Sequence, residues 1–227
     1  MIIDNFNLFR DKLKFTDIGD FYVIHLVIRK KDINEDSPDI SKIILQNIEP
    51  SINPYFRLRV DYNDYIQHNE PTNRRVLFTY YISSLEQFNS YEDEIKKLCI
   101  LFQARAYIYV VKQNNFKVWE SIEYQSTNID HNIYKYKSFI DRFCLYQRDR
   151  LKTALLDLDG DEVQYKDILI NDILKWRFQY EVPSPNGCHL IFINSTDEIF
   201  EQVKKYLPHK MSLTPQTILY YNDEKNS

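Results

Sequence analysis

Short apolar runs rich in β-branched and aromatic residues alternate along the chain with polar stretches of helical spacing. Residues 21–28, 75–82 and 106–111 are runs of the first kind and predict strands. Between the second and third, Ile95, Leu98, Cys99 and Phe102 recur at helical spacing behind a Ser83-Ser84-Leu85-Glu86 capping pattern. Strand, helix and strand in that order predict a crossover joining parallel strands. Phe6, Phe9 and Leu13 predict a short opening helix. Residues 32–73 carry Pro38, Pro50, Pro54 and Pro71 and little periodicity, so they read as loop around a short helix at 40–48. Residues 116–124 and 133–151 have helical patterns.

The second half has a readable order. Residues 153–158 predict a strand and residues 166–176 a helix with Ile168, Leu169 and Ile173 inward. Residues 177–182 and 189–193 predict two strands joined by a Pro-Asn-Gly turn. A Ser195-to-Glu198 capping box then opens a helix with Ile199, Val203, Tyr206 and Leu207 on one face, and Pro208 stops it. Residues 217–221 predict a last strand. This β-α-β-β-α-β order is that of a ferredoxin-like or RRM-like unit. The expected class is α+β: an N-terminal α/β unit, residues 1–150, packed on a C-terminal RRM-like unit, residues 151–227.

That topology gives the polar residues of the second half a meaning. Its first and third strands are antiparallel neighbours, so the end of the first meets the start of the third. Asp157 and Asp159 stand at the former and His189 at the latter. Alternation puts both aspartates on one sheet face. Two carboxylates so placed suit one or two Mg2+ or Mn2+ ions. The His189 imidazole, the Ser184 hydroxyl and the backbone around Asn186 and Gly187 suit the phosphates of a nucleotide. Lys152, with Arg142, Arg148 and Arg150, forms a basic cluster ahead of the strand. It reads equally as a phosphate contact or as the cations favoured in a helix's last turn. Arg105 reads as a solvated strand-end residue or a phosphate contact, and His25 as a structural strand histidine.

Composition narrows the classes. A chain of 227 residues, 44% hydrophobic, suits one large domain or two small ones. The net charge of -4 removes any global basic field for nucleic acid, although a metal site supplies its own positive charge locally. No apolar run reaches membrane-spanning length, and the N-terminus does not resemble a signal peptide. Cys99, Cys144 and Cys188 are odd in number and widely spaced, which predicts reduced thiols in a cytoplasm and no zinc site. Three glycines leave no Walker or Rossmann phosphate loop. Cys188 and His189 are strand neighbours on opposite faces and so are poor nucleophile and base partners. The bias towards Ile, Asn, Lys and Tyr matches an AT-rich genome of the kind many phages have.

Asp157-Leu158-Asp159 together with the segment from Ser184 to Leu190 resembles the first two motifs of the archaeo-eukaryotic primase, or primase-polymerase, superfamily. The resemblance covers residues 150–222 and rests on short motifs. It implies that Asp157 and Asp159 hold a catalytic Mg2+ or Mn2+, that His189 contacts the phosphates of a nucleoside triphosphate, and that Ser184 supports it. It implies metal-dependent nucleotidyl transfer in DNA replication, with single-stranded nucleic acid as partner. The family's third motif places another acidic residue near the start of the last strand, whereas residues 208–216 contain no Asp or Glu. The chain therefore reads as a minimal, divergent phage-type relative. The alternative is a catalytically inactive interaction protein of the same fold, a phage accessory or defence-related factor with a protein partner. The segment from Leu156 to Gly160 also resembles the haloacid-dehalogenase phosphatases, but Asp161 breaks that pattern. An EF-hand beginning at Asp157 fails because Glu162 and Ile168 occupy its glycine and terminal glutamate positions.

Overall fold

The computed structural model describes residues 1–29, 74–116, 153–193, 196–207 and 216–223. The helices expected at 40–48 and 133–151, nearly all of that at 116–124, and the expected boundary at residue 150 lie outside them. The architecture is mixed α+β, with two sheets among the described residues. The chain divides into two compact units that interleave in sequence. One comprises Met1–Leu13, Val23–Ile108 and Ile218–Ser227; the other comprises Lys14–Tyr22 and Tyr109–Thr217.

The larger sheet lies mostly in the first unit. Strands β1 (Ile2–Asp4), β2 (Asp20–Arg29), β3 (Arg74–Ile82), β4 (Arg105–Tyr109) and β9 (Gln216–Asn222) lie in the order β1-β9-β4-β2-β3, with β5 (Gln113–Asn114) also paired to β2. β2 is buried along almost its whole length, as its unbroken apolar run requires of a central strand. Helix α1 (Phe6–Lys12) buries Phe6 and Phe9, the expected stripe. α2 (Leu85–Ser90) and α3 (Glu92–Leu101) divide the expected single helix at Tyr91. The Ser84 side chain caps α2 by accepting the Gln87 N–H. β3 and β4, the strands these helices join, both neighbour β2, so the connection steps over one strand. β1 and β5 were not foreseen, because strands of two or three residues carry no period.

The second unit carries the smaller sheet, β6 (Ala154–Asp159), β7 (Phe178–Ser184) and β8 (Gly187–Phe192), in the antiparallel order β6-β8-β7. Ala154, Leu156 and Leu158 of β6 face the same way as Cys188, Leu190 and Phe192 of β8. They pack against Leu169, Ile173 and Leu174, and against Ile199, Val203 and Leu207 in and after helix α5 (Asp197–Lys204). Each large aliphatic side chain buried there contributes about 1.5–3 kcal/mol. That row fixes which residues of β6 and β8 face away from the helices. Thr196, rather than Ser195, caps α5, its side chain accepting the Ile199 N–H.

Two expectations change. The helix expected from residue 166 begins six residues earlier and is irregular. A 3-10 stretch (Gly160–Tyr165) leads through one α turn, α4 (Lys166–Ile168), a π-helical stretch (Leu169–Leu174) and a 3-10 turn (Lys175–Arg177). The first three strands of the expected RRM-like unit take its order. The fourth, β9, does not join β6; it lies between β1 and β4. Thr217, Ile218, Leu219, Tyr220 and Tyr221 are all buried. Such a run suits a strand with a neighbour on each side, whereas the fourth strand of a ferredoxin-like sheet is an edge strand.

Candidate functional site

The site lies on the face of the smaller sheet that points away from its helices. Cross-strand partners share a face. Leu155 and Ile191 are paired and buried. In the next row on this face Asp157 stands opposite His189, and His189 opposite Val182. In the row after that Asp159 stands opposite Gly187, and Gly187 opposite Ser184. The expected meeting of the first strand's end with the third strand's start is therefore present in register.

His189 is the centre of this face. Its Nε2 stands 3.2 Å from Asp157 Oδ1, and its side chain is 11% exposed against 43% for Asp157. Its Nδ1 stands 2.6 Å from Thr217 Oγ1. A carboxylate beside Nε2 favours the proton on that nitrogen. In the neutral ring Nδ1 then accepts from the Thr217 hydroxyl; in the imidazolium it donates to it. A buried ring nitrogen left unmatched costs about 1–3 kcal/mol, so Thr217 both satisfies and orients the imidazole. Thr217 is fully buried, so its hydroxyl positions His189 and is out of reach of a substrate. Sequence reading missed Thr217. It is a hydroxyl within an apolar strand, and nothing local ties it to a partner 28 residues earlier.

Asp159 has structural work. Its side chain accepts the Glu162 backbone N–H while the Glu162 side chain accepts the Asp159 N–H at 3.0 Å. This capping box starts the helical segment early. Gly160 follows at φ +56, a left-handed conformation that glycine adopts without the usual steric cost. The Gly160 N–H donates to the Asn186 carbonyl at 2.9 Å, tying the end of β6 to the hairpin turn. Gly187 is required by close approach: a Cβ there would lie 1.9 Å from the Leu158 carbonyl oxygen. Asn186 and Gly187 thus shape the turn. Among the described residues the Ser184 hydroxyl, which is buried, has no hydrogen-bond partner, an unmatched group that a buried water would satisfy. Lys152 lies outside the described residues, as do Arg142, Arg148 and Arg150.

The donor set is two carboxylates and an imidazole. Among the described residues no group of three or more His, Cys, Asp or Glu side chains is arranged to hold a metal ion. Mg2+ commonly uses one or two protein carboxylates together with substrate phosphates, so Asp157 and Asp159 fit such an ion in kind and number. The nearby Glu162 carboxylate is engaged on the Asp159 N–H.

Other candidates resolve structurally. Arg105 is 9% exposed and its guanidinium stacks 4.0 Å from the Tyr221 ring centroid, so it is not a solvated strand-end residue. His25 is buried. Cys99 and Cys188 are buried free thiols. Burial, with Glu181 adding to it, pushes the Cys188 thiol up to about 11, far from a reactive thiolate. Cys188 packs in the helix-facing core while His189 faces the other way. No helix among the described residues is long and apolar enough to cross a membrane. Comparison with protein-family models, curated proteins and solved structures gives no match to this chain.

Proposed function

We propose that the chain is a nucleotide-handling protein of primase-like type. The nucleoside triphosphate binds at Asp157, Asp159 and His189 with a Mg2+ or Mn2+ ion. The observation that supports this best is the Asp157–His189 pair, 3.2 Å apart in matched register on the same face as Asp159. Asp157 and Asp159 would hold the ion, which when bound supplies positive charge against the phosphates. The chain's own contribution is an imidazole held at Nδ1 by Thr217, with its other nitrogen beside the Asp157 carboxylate. Ser184, in the Asp159–Gly187 row, lies on the same face with its hydroxyl buried, and supports the turn beneath the phosphates. The reading extends to the finer fold: an N-terminal α/β unit with an RRM-like unit whose first three strands are β6, β7 and β8. It also extends to single-stranded nucleic acid as a partner and to a cytoplasmic, phage-type replication role.

A second reading has its own observation. Asp157 pairs with His189 and Asp159 caps a helix, so both carboxylates have structural partners without any metal. On this reading the chain is a non-catalytic interaction protein that binds a protein partner.

Calorimetric titration with Mn2+ and a nucleoside triphosphate separates the two. Binding by the wild type that weakens at least about tenfold in Asp157→Asn and Asp159→Asn supports the first reading. No binding by a folded wild type, or equal binding by Asp157→Asn, overturns it in favour of the second.

A further inference from the structure

At the end of the smaller sheet remote from Asp159, the turn before β7 displays Lys175, Trp176 and Arg177. Phe178, the first residue of β7, pairs with Phe192, while Ser184 at the far end pairs with Gly187. The two ends are about 20 Å apart along the strand. Trp176 is 65% exposed, an unusual state for so large an apolar ring. The Arg177 guanidinium lies 4.5 Å from the Trp176 ring centroid. Among the described residues its Nε is buried without a hydrogen-bond partner. Among the described residues neither Lys175 nor Arg177 pairs with a carboxylate, whereas Lys96, Lys112, Lys166 and Lys204 all do.

The backbone that presents these groups is strained and held. Lys175 has φ 50 and ψ -127, the region glycine takes at the first central position of a II′ turn. A side chain there costs about 1–3 kcal/mol. The preceding Ile173 and Leu174 are buried. The Arg177 carbonyl accepts the Ile193 N–H at 3.0 Å and the Gln179 Nε2 at 3.4 Å. Buried residues on one side and the β7–β8 pairing on the other therefore hold an exposed indole flanked by two cations that lack ion-pair partners among the described residues.

We infer that Lys175, Trp176 and Arg177 form a stacking platform for single-stranded nucleic acid, separate from the Asp157–His189 site. An exposed base stacks on the free part of the indole. Arg177 and Lys175 meet the adjoining phosphates. Single strands suit this surface because their bases are unstacked and sequence-tolerant stacking needs only a π face. The net charge of -4 does not oppose it, since the contact is local. The inference shares the ligand class of the proposed function and none of its residues.

Fluorescence anisotropy of a labelled short single-stranded oligonucleotide at low salt tests it with the full chain. Trp176→Ala is expected to weaken binding by about five- to a hundredfold, the loss of one stacked base, and Trp176→Phe to retain most of it. Arg177→Gln and Lys175→Gly are each expected to flatten the slope of log K against log salt by about 0.7. Lys175→Gly suits the observed backbone, so its effect reports charge and not misfolding. No binding by the wild type, equal affinity of Trp176→Ala, or equally tight binding of a duplex overturns the inference. Trp176→Ala is expected to leave Mn2+-dependent nucleotide binding unchanged. Loss of Mn2+-dependent nucleotide binding therefore tests the proposed function, and loss of oligonucleotide binding tests this surface.

Discussion

His189 Nδ1 and Thr217 Oγ1 stand 2.6 Å apart, and both residues are buried. This bond sets the direction in which the imidazole points. Thr217→Val keeps the shape and leaves Nδ1 without its partner, so stability should fall by about 1–3 kcal/mol, read from urea denaturation. Thr217→Ser restores the hydroxyl and should recover most of the loss. Stability of Thr217→Val equal to wild type would remove the anchoring role.

The two glycines near the site should respond differently to alanine. At Gly187 the added Cβ would lie 1.9 Å from a backbone carbonyl oxygen. The strands must part, at a cost of about 3 kcal/mol or outright failure to fold. At Gly160 nothing lies within 4 Å and only φ +56 resists. Alanine there should cost about 1–2 kcal/mol. Thermal melts of the two variants that rank them the other way would contradict the close approach.

Asp20 should govern part of the acid limb of stability. Its burial acts to raise the carboxyl pKa, but Lys112, the Asp17 and Thr16 N–H groups and Asn114 outweigh burial and hold it well below the usual range. The unfolded carboxyl, near about 3.9, takes up a proton before the folded one does. The contribution is therefore complete above about pH 4 and is lost as pH falls below that value towards the depressed folded pKa. Melting temperature against pH should show a shallower acid limb for Asp20→Asn than for wild type. Parallel limbs would show that the carboxylate is not the group responsible.

Lys175→Gly should raise stability although it removes a side chain. The wild-type residue holds a positive φ, and relief of that conformation is worth about 1–3 kcal/mol, partly offset by glycine's greater freedom in the unfolded chain. Chemical denaturation of variant and wild type measures the sign. Destabilisation would mean that contacts of the Lys175 stem outweigh the strain.

Much of this was legible because it follows from periodicity. The runs at β2, β4, β6, β8 and β9 announce strands, and the Ile199, Val203 and Leu207 stripe announces α5. Two-residue alternation likewise put Asp157 and Asp159 on one face, as they are found, and the register of β6 with β8 adds His189 to it. The early start of the helical segment was missed because the cap is Asp159 itself, a residue also suited to metal. The π-helical stretch and the strained turn at Lys175 were invisible, since Lys-Trp-Arg has no glycine to mark a positive φ.

The sequence by itself determined which residues alternate and which face each presents, because those depend on neighbours two, three or four positions away. Only the tertiary structure decided what lies beside those faces. β9 reads as the last strand of a ferredoxin-like unit, yet it pairs with β1 and β4. A largely buried strand is stabilised wherever both edges and both faces are covered, and local sequence does not say by what. The same holds for the anchor of His189. Whether Nδ1 meets water, a phosphate or the hydroxyl of Thr217 depends on packing between segments that share no local pattern, and the cost of an unmatched buried nitrogen selects the hydroxyl.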